Sequence, residues 1–165
     1  MVMQQPFEQV VAEHSATVLR VCTFIVGVND ADDAWSETFI SAMRAYPRLP
    51  VGANVQAWLV TIAHNRSIDL IRGRERLPAP TDQVPDAHSR IGIPGQTDDE
   101  LWASVAALPL KQRQAVAYHH LGGLPFAEVA ELLGGTAAAA RKAASDGIKA
   151  LRLRIAAENR TEATR

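Results

Sequence analysis

The chain has 165 residues, 47% of them hydrophobic and 21% charged, with a formal net charge of −1 at pH 7. This size suits one domain or two small ones with packed cores. The near-neutral charge differs from the strongly basic charge of proteins that bind DNA without a partner. Cys22 is the only cysteine, so neither an internal disulfide nor a multi-cysteine zinc site is possible.

Targeting signals are missing from the sequence. Residues 1–6 lack the basic start and apolar core of a signal peptide, and no apolar run is long enough to cross a bilayer. We therefore expect a cytoplasmic protein with no membrane partner.

Two helices are predicted at the start. Apolar residues recur at helical spacing from Phe7 to Val26, with Gly27 as a stop signal. The second helix is predicted in the stretch VNDADDAWSETFISAMRAY, where Asn29 or Asp30 can cap it. The acidic residues at its start interact favourably with the positive end of the helix dipole. Asp33 and Glu37 lie one turn apart on its exposed side. If the acidic residues served only the helix dipole, the acidic residue at position 37, Glu37, would have no explanation.

A third helix is predicted from Trp58 to Arg76. Steps of three and four residues place one aromatic ring, one amide and two guanidinium groups on a single face; its members are Trp58, Ile62, Asn65, Asp69, Arg72 and Arg76. A ring can stack on an unpaired base, an amide can bond a base edge, and arginine can hold phosphates. The alternative is an amphipathic core helix with a solvated basic end.

Residues 77–99 are rich in Pro, Asp, Gly and Ser without an apolar period, which predicts an acidic linker between domains. Helical patterns return over residues 100–157. Gly134 and Gly135 separate two of these helices, and Thr136 can cap the second, which together predict a helix-turn-helix. Residues 158–165 read as a polar tail. The histidines lack the spacing and carboxylate partners of a metal site, so no metal or cofactor is expected.

Three blocks of the sequence resemble the sigma-70 family of bacterial RNA polymerase sigma factors, in particular the extracytoplasmic-function (ECF) group. The stretch AWLVTIAHNRSIDLIR is similar to the family's promoter-melting segment. The stretch DADDAWSETF resembles its polymerase-docking signature, with Ser36 in place of the usual Gln. The third block, from Leu108 to Gly134, resembles the family's helix-turn-helix.

The resemblance implies an all-α protein of two small helical domains. Residues 1–76 would dock on core RNA polymerase and read and melt the minus-ten element, and residues 100–157 would read the minus-thirty-five element. The docking residues implied are Asp33, Glu37 and Phe39, although the helical pattern also predicts that Phe39 fills the core. Those implied for the minus-ten element are Trp58, Asn65, Arg66, Asp69, Arg72, Arg74 and Arg76. Trp58 has a second interpretation, as a core residue.

The second DNA-reading helix departs from the family, because four alanines follow Thr136 and Gly147 interrupts its later part. Candidate contacts to the minus-thirty-five element are Thr136, Arg141, Lys142 and Lys149. Alanine methyls cannot make bidentate pairs with bases, so weak reading is expected. In the alternative, the alanines only form a strong helix, and Lys111, Arg113 and the turn contact phosphates.

The implied function is that of a promoter-specificity subunit, without enzymatic activity, whose partners are core RNA polymerase and promoter DNA. An anti-sigma factor is a further partner that the resemblance allows. The alternative function is a one-component helix-turn-helix regulator whose first domain senses a ligand or partner.

Overall fold

A computed structural model describes residues 3–76 and 98–164 of the chain. Seven α-helices make up this part: α1 (Phe7–Val26), α2 (Ala31–Ala45), α3 (Val55–Arg76), α4 (Asp98–Ala106), α5 (Leu110–Val116), α6 (Phe126–Leu133) and α7 (Ala137–Ala163). A short 3-10 turn at Tyr46–Arg48 follows α2, and a π-helical turn at Ala117–Leu121 follows α5. No strand occurs within these residues, so the expected all-α class is confirmed.

Helices α1, α2 and α3 pack on one another around a shared apolar cluster. It includes Val18 and Cys22 of α1, Phe39 of α2 and Leu59 and Ala63 of α3. Gly27 ends α1 with a φ of +87°, a value that costs glycine little because it has no side chain. At the start of α3, the Asn54 carboxamide oxygen accepts a hydrogen bond from the Ala57 N–H at 3.1 Å. That cap lets α3 begin three residues before Trp58.

Helices α6 and α7 form the helix-turn-helix that the sequence predicts. Gly134 and Gly135 both have positive φ between the two helices. The Thr136 hydroxyl accepts a hydrogen bond from the Ala139 N–H at 3.1 Å, which confirms the predicted cap. Helix α7 continues to Ala163, through most of the segment interpreted as a polar tail. The Ser104 hydroxyl, 3.1 Å from Glu158 Oε1, holds that extension against α4.

Helices α1 and α3 also pack against the later helices. Val21, Phe24 and Ile25 of α1 and Val60 of α3 belong to one buried cluster with residues of α4, α5, the π turn, α6 and α7. The predicted linker, 77–99, lies outside the described residues up to position 97. Within the described ranges, none of the helices is long and apolar enough to cross a membrane.

Candidate nucleic-acid interface

The exposed edge of α3 carries most of the predicted minus-ten residues. Asn65, Asp69, Arg72 and Arg76 are all exposed. Their spacing of four, three and four residues keeps them on one side of the helix. The opposite side is anchored by buried residues, so α3 presents an amide and two guanidinium groups from a fixed support.

Trp58 lies at the border between core and surface. Its ring is half-buried against the cluster of α1–α3, and the ring centroids of Trp58 and Tyr46 are 6.1 Å apart at 40°. The Tyr46 hydroxyl donates a hydrogen bond to the Gln5 carbonyl at 2.5 Å, which fixes the surface on which Trp58 packs. The structure thus gives Trp58 a packing role, and the residue stays partly exposed.

Two of the predicted minus-ten residues lie beside the predicted docking residues. Arg66 pairs with Asp69 at 3.4 Å, one turn along α3. Both line a surface groove of about 360 Å³ together with Asp33 and Glu37 of α2. The groove therefore joins the two predicted sites along the α2–α3 seam, with three carboxylates and one guanidinium at its rim.

Phe39 does not share the exposure expected of a docking residue. It is 6% exposed and its ring packs on Trp35 with centroids 4.8 Å apart. The reason is its helical position: Phe39 lies one turn beyond Trp35, on the side of α2 that faces α1 and α3. Phe39 packs beneath the exposed acidic face of α2. A direct contact with a partner needs an exposed residue instead.

Arg74 is engaged within the protein. Its guanidinium forms an ion pair with Asp30, the residue that precedes α2. The pair ties the end of α3 to the start of α2, and 60% of the Arg74 side chain stays exposed. A phosphate would compete with Asp30 for this guanidinium.

His64, on the same helix, is paired with Tyr118 of the π turn. Its Nδ1 lies 2.6 Å from the Tyr118 hydroxyl oxygen, and the two rings meet edge to face with centroids 5.3 Å apart. Burial lowers the pKa of His64, and the nearby Arg72 charge lowers it further. Sequence spacing could not find this pair because 54 residues separate its members.

Cations of α7 line a groove of about 480 Å³ in the helix-turn-helix, with Phe126 on its wall. The Arg141 guanidinium carbon lies 5.2 Å from the centre of the Phe126 ring. Lys142 Nζ lies 2.8 Å from Asp146 Oδ2, one turn along the exposed side. Lys149 is exposed beside Arg141 on the same groove. Thr136 is used as the helix cap.

Gly147 lies where α7 packs closely on α5. A Cβ atom at this position would lie 2.8 Å from Val116 Cγ2 and 3.4 Å from Gln112 Cβ. The glycine that looks unfavourable for the helix thus allows α7 to pack on its neighbour.

Family comparisons match both halves of the chain, in order. The description "Sigma-70 region 2" applies to residues 10–77, and "Sigma-70, region 4" applies to residues 98–151. The chain belongs to the sigma-70 family. The region 2 match covers α1–α3 from Val10 onward, and the region 4 match covers α4–α6 and α7 as far as Leu151.

Relatives in this family are ECF sigma factors. The chain is 29% identical over 137 residues to the ECF RNA polymerase sigma factor SigE of Mycolicibacterium smegmatis, covering 78% of this chain and 53% of that protein. It is 32% identical over 137 residues to BldN of Streptomyces coelicolor, covering 78% and 52%. A probable RNA polymerase sigma-C factor of Mycobacterium bovis is 31% identical over 121 residues, covering 71% and 65%. The chain thus spans roughly half to two thirds of these relatives, and the resemblance stated from the sequence is confirmed.

Solved structures of sigma factors share the fold. The sigma factor RpoE of Bartonella quintana, in complex with the anti-sigma factor NepR, matches with a TM-score of 0.70 at 17% identity, covering 90% of this chain and 96% of that one. CnrH, in complex with the cytosolic domain of CnrY, matches with a TM-score of 0.62 at 21% identity, covering 92% and 88%.

Cys22 has no accessible chemistry in this sigma-70 fold. It is fully buried, and burial raises the pKa of its thiol to about 12. A thiol that stays protonated is a poor nucleophile and metal ligand. In the described part of the chain, no three His, Cys, Asp or Glu side chains are grouped to hold a metal ion.

Proposed function

We propose that the chain is a dissociable promoter-specificity subunit of bacterial RNA polymerase and carries out no covalent chemistry itself. One observation carries the proposal: the exposed amide and guanidinium edge of α3 and a capped helix-turn-helix occur in one chain, in the order of sigma-70 regions 2 and 4.

The minus-ten element would be read and melted at α3. Asn65 would bond the edge of an unpaired base, and Trp58 would stack on a base through the exposed part of its ring. Arg66, Arg72, Arg74 and Arg76 would hold the backbone of the displaced strand. Asp69 would orient Arg66 through their ion pair.

The minus-thirty-five element would be contacted by α7. Arg141, Lys142 and Lys149 would hold phosphates, and the Thr136 region would approach the backbone through the N–H groups of the first turn. The alanines of this helix offer methyl contacts only, so the base discrimination of this surface would be low.

Docking on core polymerase would use Asp33 and Glu37, which are exposed on α2 and line the groove with α3. Core polymerase would hold the two DNA-reading surfaces at the separation of the two promoter elements, so that two weak contacts act as one strong one. Support from core polymerase would explain how a chain with near-neutral charge binds promoter DNA.

Run-off transcription with purified core polymerase tests the proposal. The chain should give promoter-specific transcripts with core polymerase and bind duplex promoter DNA weakly without it. The other candidate function, a one-component regulator, predicts the reverse: a gel shift of duplex DNA by the chain alone and no promoter-specific transcript with core polymerase.

Two further parts of the proposal concern location and regulation. A subunit of bacterial RNA polymerase works in the cytoplasm, which is where we place it. The structural neighbour RpoE was solved with an anti-sigma factor, and we propose a partner of the same kind here. Co-purification with core polymerase from the native host would support the location. Co-purification with an anti-sigma factor would support the proposed regulation.

A further inference from the structure

The residues that lead into α1 contact one residue at the far end of α2. Gln4, Gln5 and Phe7 all meet Tyr46, the first residue of the 3-10 turn, and the Tyr46 ring packs on Trp58. We propose that this lead-in segment (residues 4–7) and Tyr46 are positioning residues for promoter melting, which hold the Trp58 ring ready to stack on an unpaired base. The inference rests on the proposed function, and it gives a role to residues that precede the region 2 match.

Hydrogen bonds join the lead-in segment to both the backbone and the side chain of Tyr46. Gln4 Nε2 donates to the Tyr46 carbonyl oxygen at 2.8 Å and also lies 3.4 Å from the Leu49 carbonyl oxygen. The Tyr46 hydroxyl donates to the Gln5 carbonyl oxygen at 2.5 Å. Tyr46 is only 8% exposed, and a buried tyrosine hydroxyl usually requires such a partner. The lead-in segment therefore fixes Tyr46 at two separate points.

Three aromatic rings form a row from α1 to α3. The ring centroids of Phe7 and Tyr46 are 5.3 Å apart at 54°, and those of Tyr46 and Trp58 are 6.1 Å apart at 40°. Both separations lie within the range of favourable aromatic pairs. The Trp58 ring thus packs on a ring that the lead-in segment holds in place.

The backbone between Tyr46 and Trp58 is anchored at its two ends. The Leu49 N–H donates to the Tyr46 carbonyl oxygen at 3.0 Å and closes the 3-10 turn. The Trp58 N–H donates to the Asn54 carbonyl oxygen at 3.0 Å. Because Gln4 donates to the same Tyr46 carbonyl as Leu49, it acts on the start of the segment that leads to Trp58.

The start of α1 does not account for these contacts. Its first turn is closed by the Pro6 carbonyl oxygen, which accepts hydrogen bonds from the N–H groups of residues 9 and 10 at 3.0 and 3.3 Å. Neither bond involves the Gln4 amide or the Tyr46 hydroxyl. A phenylalanine at position 46 would provide the same ring packing, so the hydroxyl serves the connection to the lead-in segment.

Fixing a ring before a base arrives strengthens stacking, because the ring loses less conformational freedom on binding. A side chain that is ordered only on binding weakens affinity by about two- to tenfold. The test variant is Gln4→Ala with Tyr46→Phe, which removes the hydrogen bonds to the lead-in segment and keeps all three rings. The matched control is Gln9→Ala, since Gln9 is an exposed glutamine of α1 whose side chain takes no part in these contacts.

The first measurement needs no polymerase. The full-length chain is labelled with fluorotryptophan, and fluorine NMR reports on its three tryptophans. Loss of one resonance in Trp58→Phe identifies the signal of Trp58. In the double variant this signal should shift and narrow, while the other two tryptophan signals and the spectrum of the Gln9→Ala control stay unchanged. An unchanged Trp58 signal in the double variant would overturn the inference.

The second measurement is the Kd of the complex with core polymerase for a single-stranded oligonucleotide that carries the minus-ten element. The double variant should bind this strand about two- to tenfold more weakly than the parent, and the control should match the parent. In a Trp58→Ala background, the same two substitutions should change Kd by less than about twofold, because residues that act through one ring are not additive.

An equal loss of affinity in both backgrounds would show a general structural effect and would overturn the inference, as would no loss in the parent background. The two proposals fail separately. A parent chain that binds neither core polymerase nor the strand contradicts the proposed function, whereas the fluorine spectra of the free chain still decide whether the lead-in segment positions Trp58.

Discussion

Gly147 gives the sharpest test of the structure, because helix propensity and packing predict opposite effects for its replacement by alanine. Within a helix, alanine is more favourable than glycine by about 1 kcal/mol. The sequence alone therefore predicts that Gly147→Ala stabilises the protein. The structure predicts the opposite, since the new methyl group would lie 2.8 Å from Val116 Cγ2, closer than carbon atoms pack.

The magnitude follows from the two opposing contributions. Adding a methyl group to a packed core costs about 1–3 kcal/mol. Val116 is 3% exposed and branched at Cβ, so it cannot swing away as a long flexible side chain would. After subtracting the propensity gain of about 1 kcal/mol, we expect the free energy of unfolding to fall by about 1 kcal/mol, or about 3 °C in Tm.

Thermal unfolding of the full-length chain measures this effect, with Gly73→Ala as the matched control. Gly73 also lies in a helix, but a Cβ atom there would meet nothing within 4 Å. The control should therefore raise Tm, while Gly147→Ala lowers it. Equal increases in both variants would refute the close packing of α7 on α5.

Further predictions concern the proposed DNA and polymerase surfaces. Charge reversal at Asp33 and Glu37 should weaken co-purification with core polymerase while leaving helicity intact. Undiminished binding would show that α2 is not the docking surface for core polymerase. Stacking is worth about 1–3 kcal/mol per base, so Trp58→Ala should reduce open-complex formation by about one to two decades, as measured by permanganate reactivity of promoter thymines. If that variant instead melts early and still opens promoters, Trp58 is only a core residue. Burial lowers the pKa of His64 in the folded chain, so the unfolded chain is the first to protonate this residue as pH falls through about 6.5. The free energy of unfolding should drop between pH 7.5 and 5.5, and His64→Gln, which cannot titrate, should flatten that drop. Scrambling the minus-thirty-five element should reduce transcription modestly, and a loss of a hundredfold or more would show that the alanine-rich helix reads DNA well.

Local structure was largely predictable, because the signals involved act over a few residues. Helix α1 has the predicted bounds, since its apolar period and Gly27 are both local features. The turn at Gly134 and Gly135 and the cap at Thr136 follow from backbone freedom and one side-chain oxygen. The exposure of Asn65, Arg72 and Arg76 follows from helical periodicity.

The partners of the buried faces were not predictable in this way. Periodicity shows that Val60 and Tyr118 lie on apolar faces, but it does not show which face each one meets. The Gln56–Gly122 and His64–Tyr118 bonds join residues 66 and 54 positions apart. Gly147 looked unfavourable from the sequence for the same reason. It allows α5 to pack closely on α7, and helix propensity takes no account of such packing. Phe39 was placed in the docking set by resemblance, and its burial shows that a motif position can serve packing.

The intramolecular contacts of α7 bear on how promoter affinity is divided between the two surfaces. Arg141 lies over the Phe126 ring, and Lys142 forms an ion pair with Asp146. A lysine paired with a carboxylate adds no net charge to the DNA-facing side, and each phosphate it holds must first displace that partner. Fewer counterions are then released on binding, so the salt-dependent affinity of this surface is low. Helix α3 differs, because Arg72 and Arg76 are exposed next to Asn65 on an anchored helix. Under the proposed function, we therefore expect promoter selection to depend mainly on α3 and on docking to core polymerase.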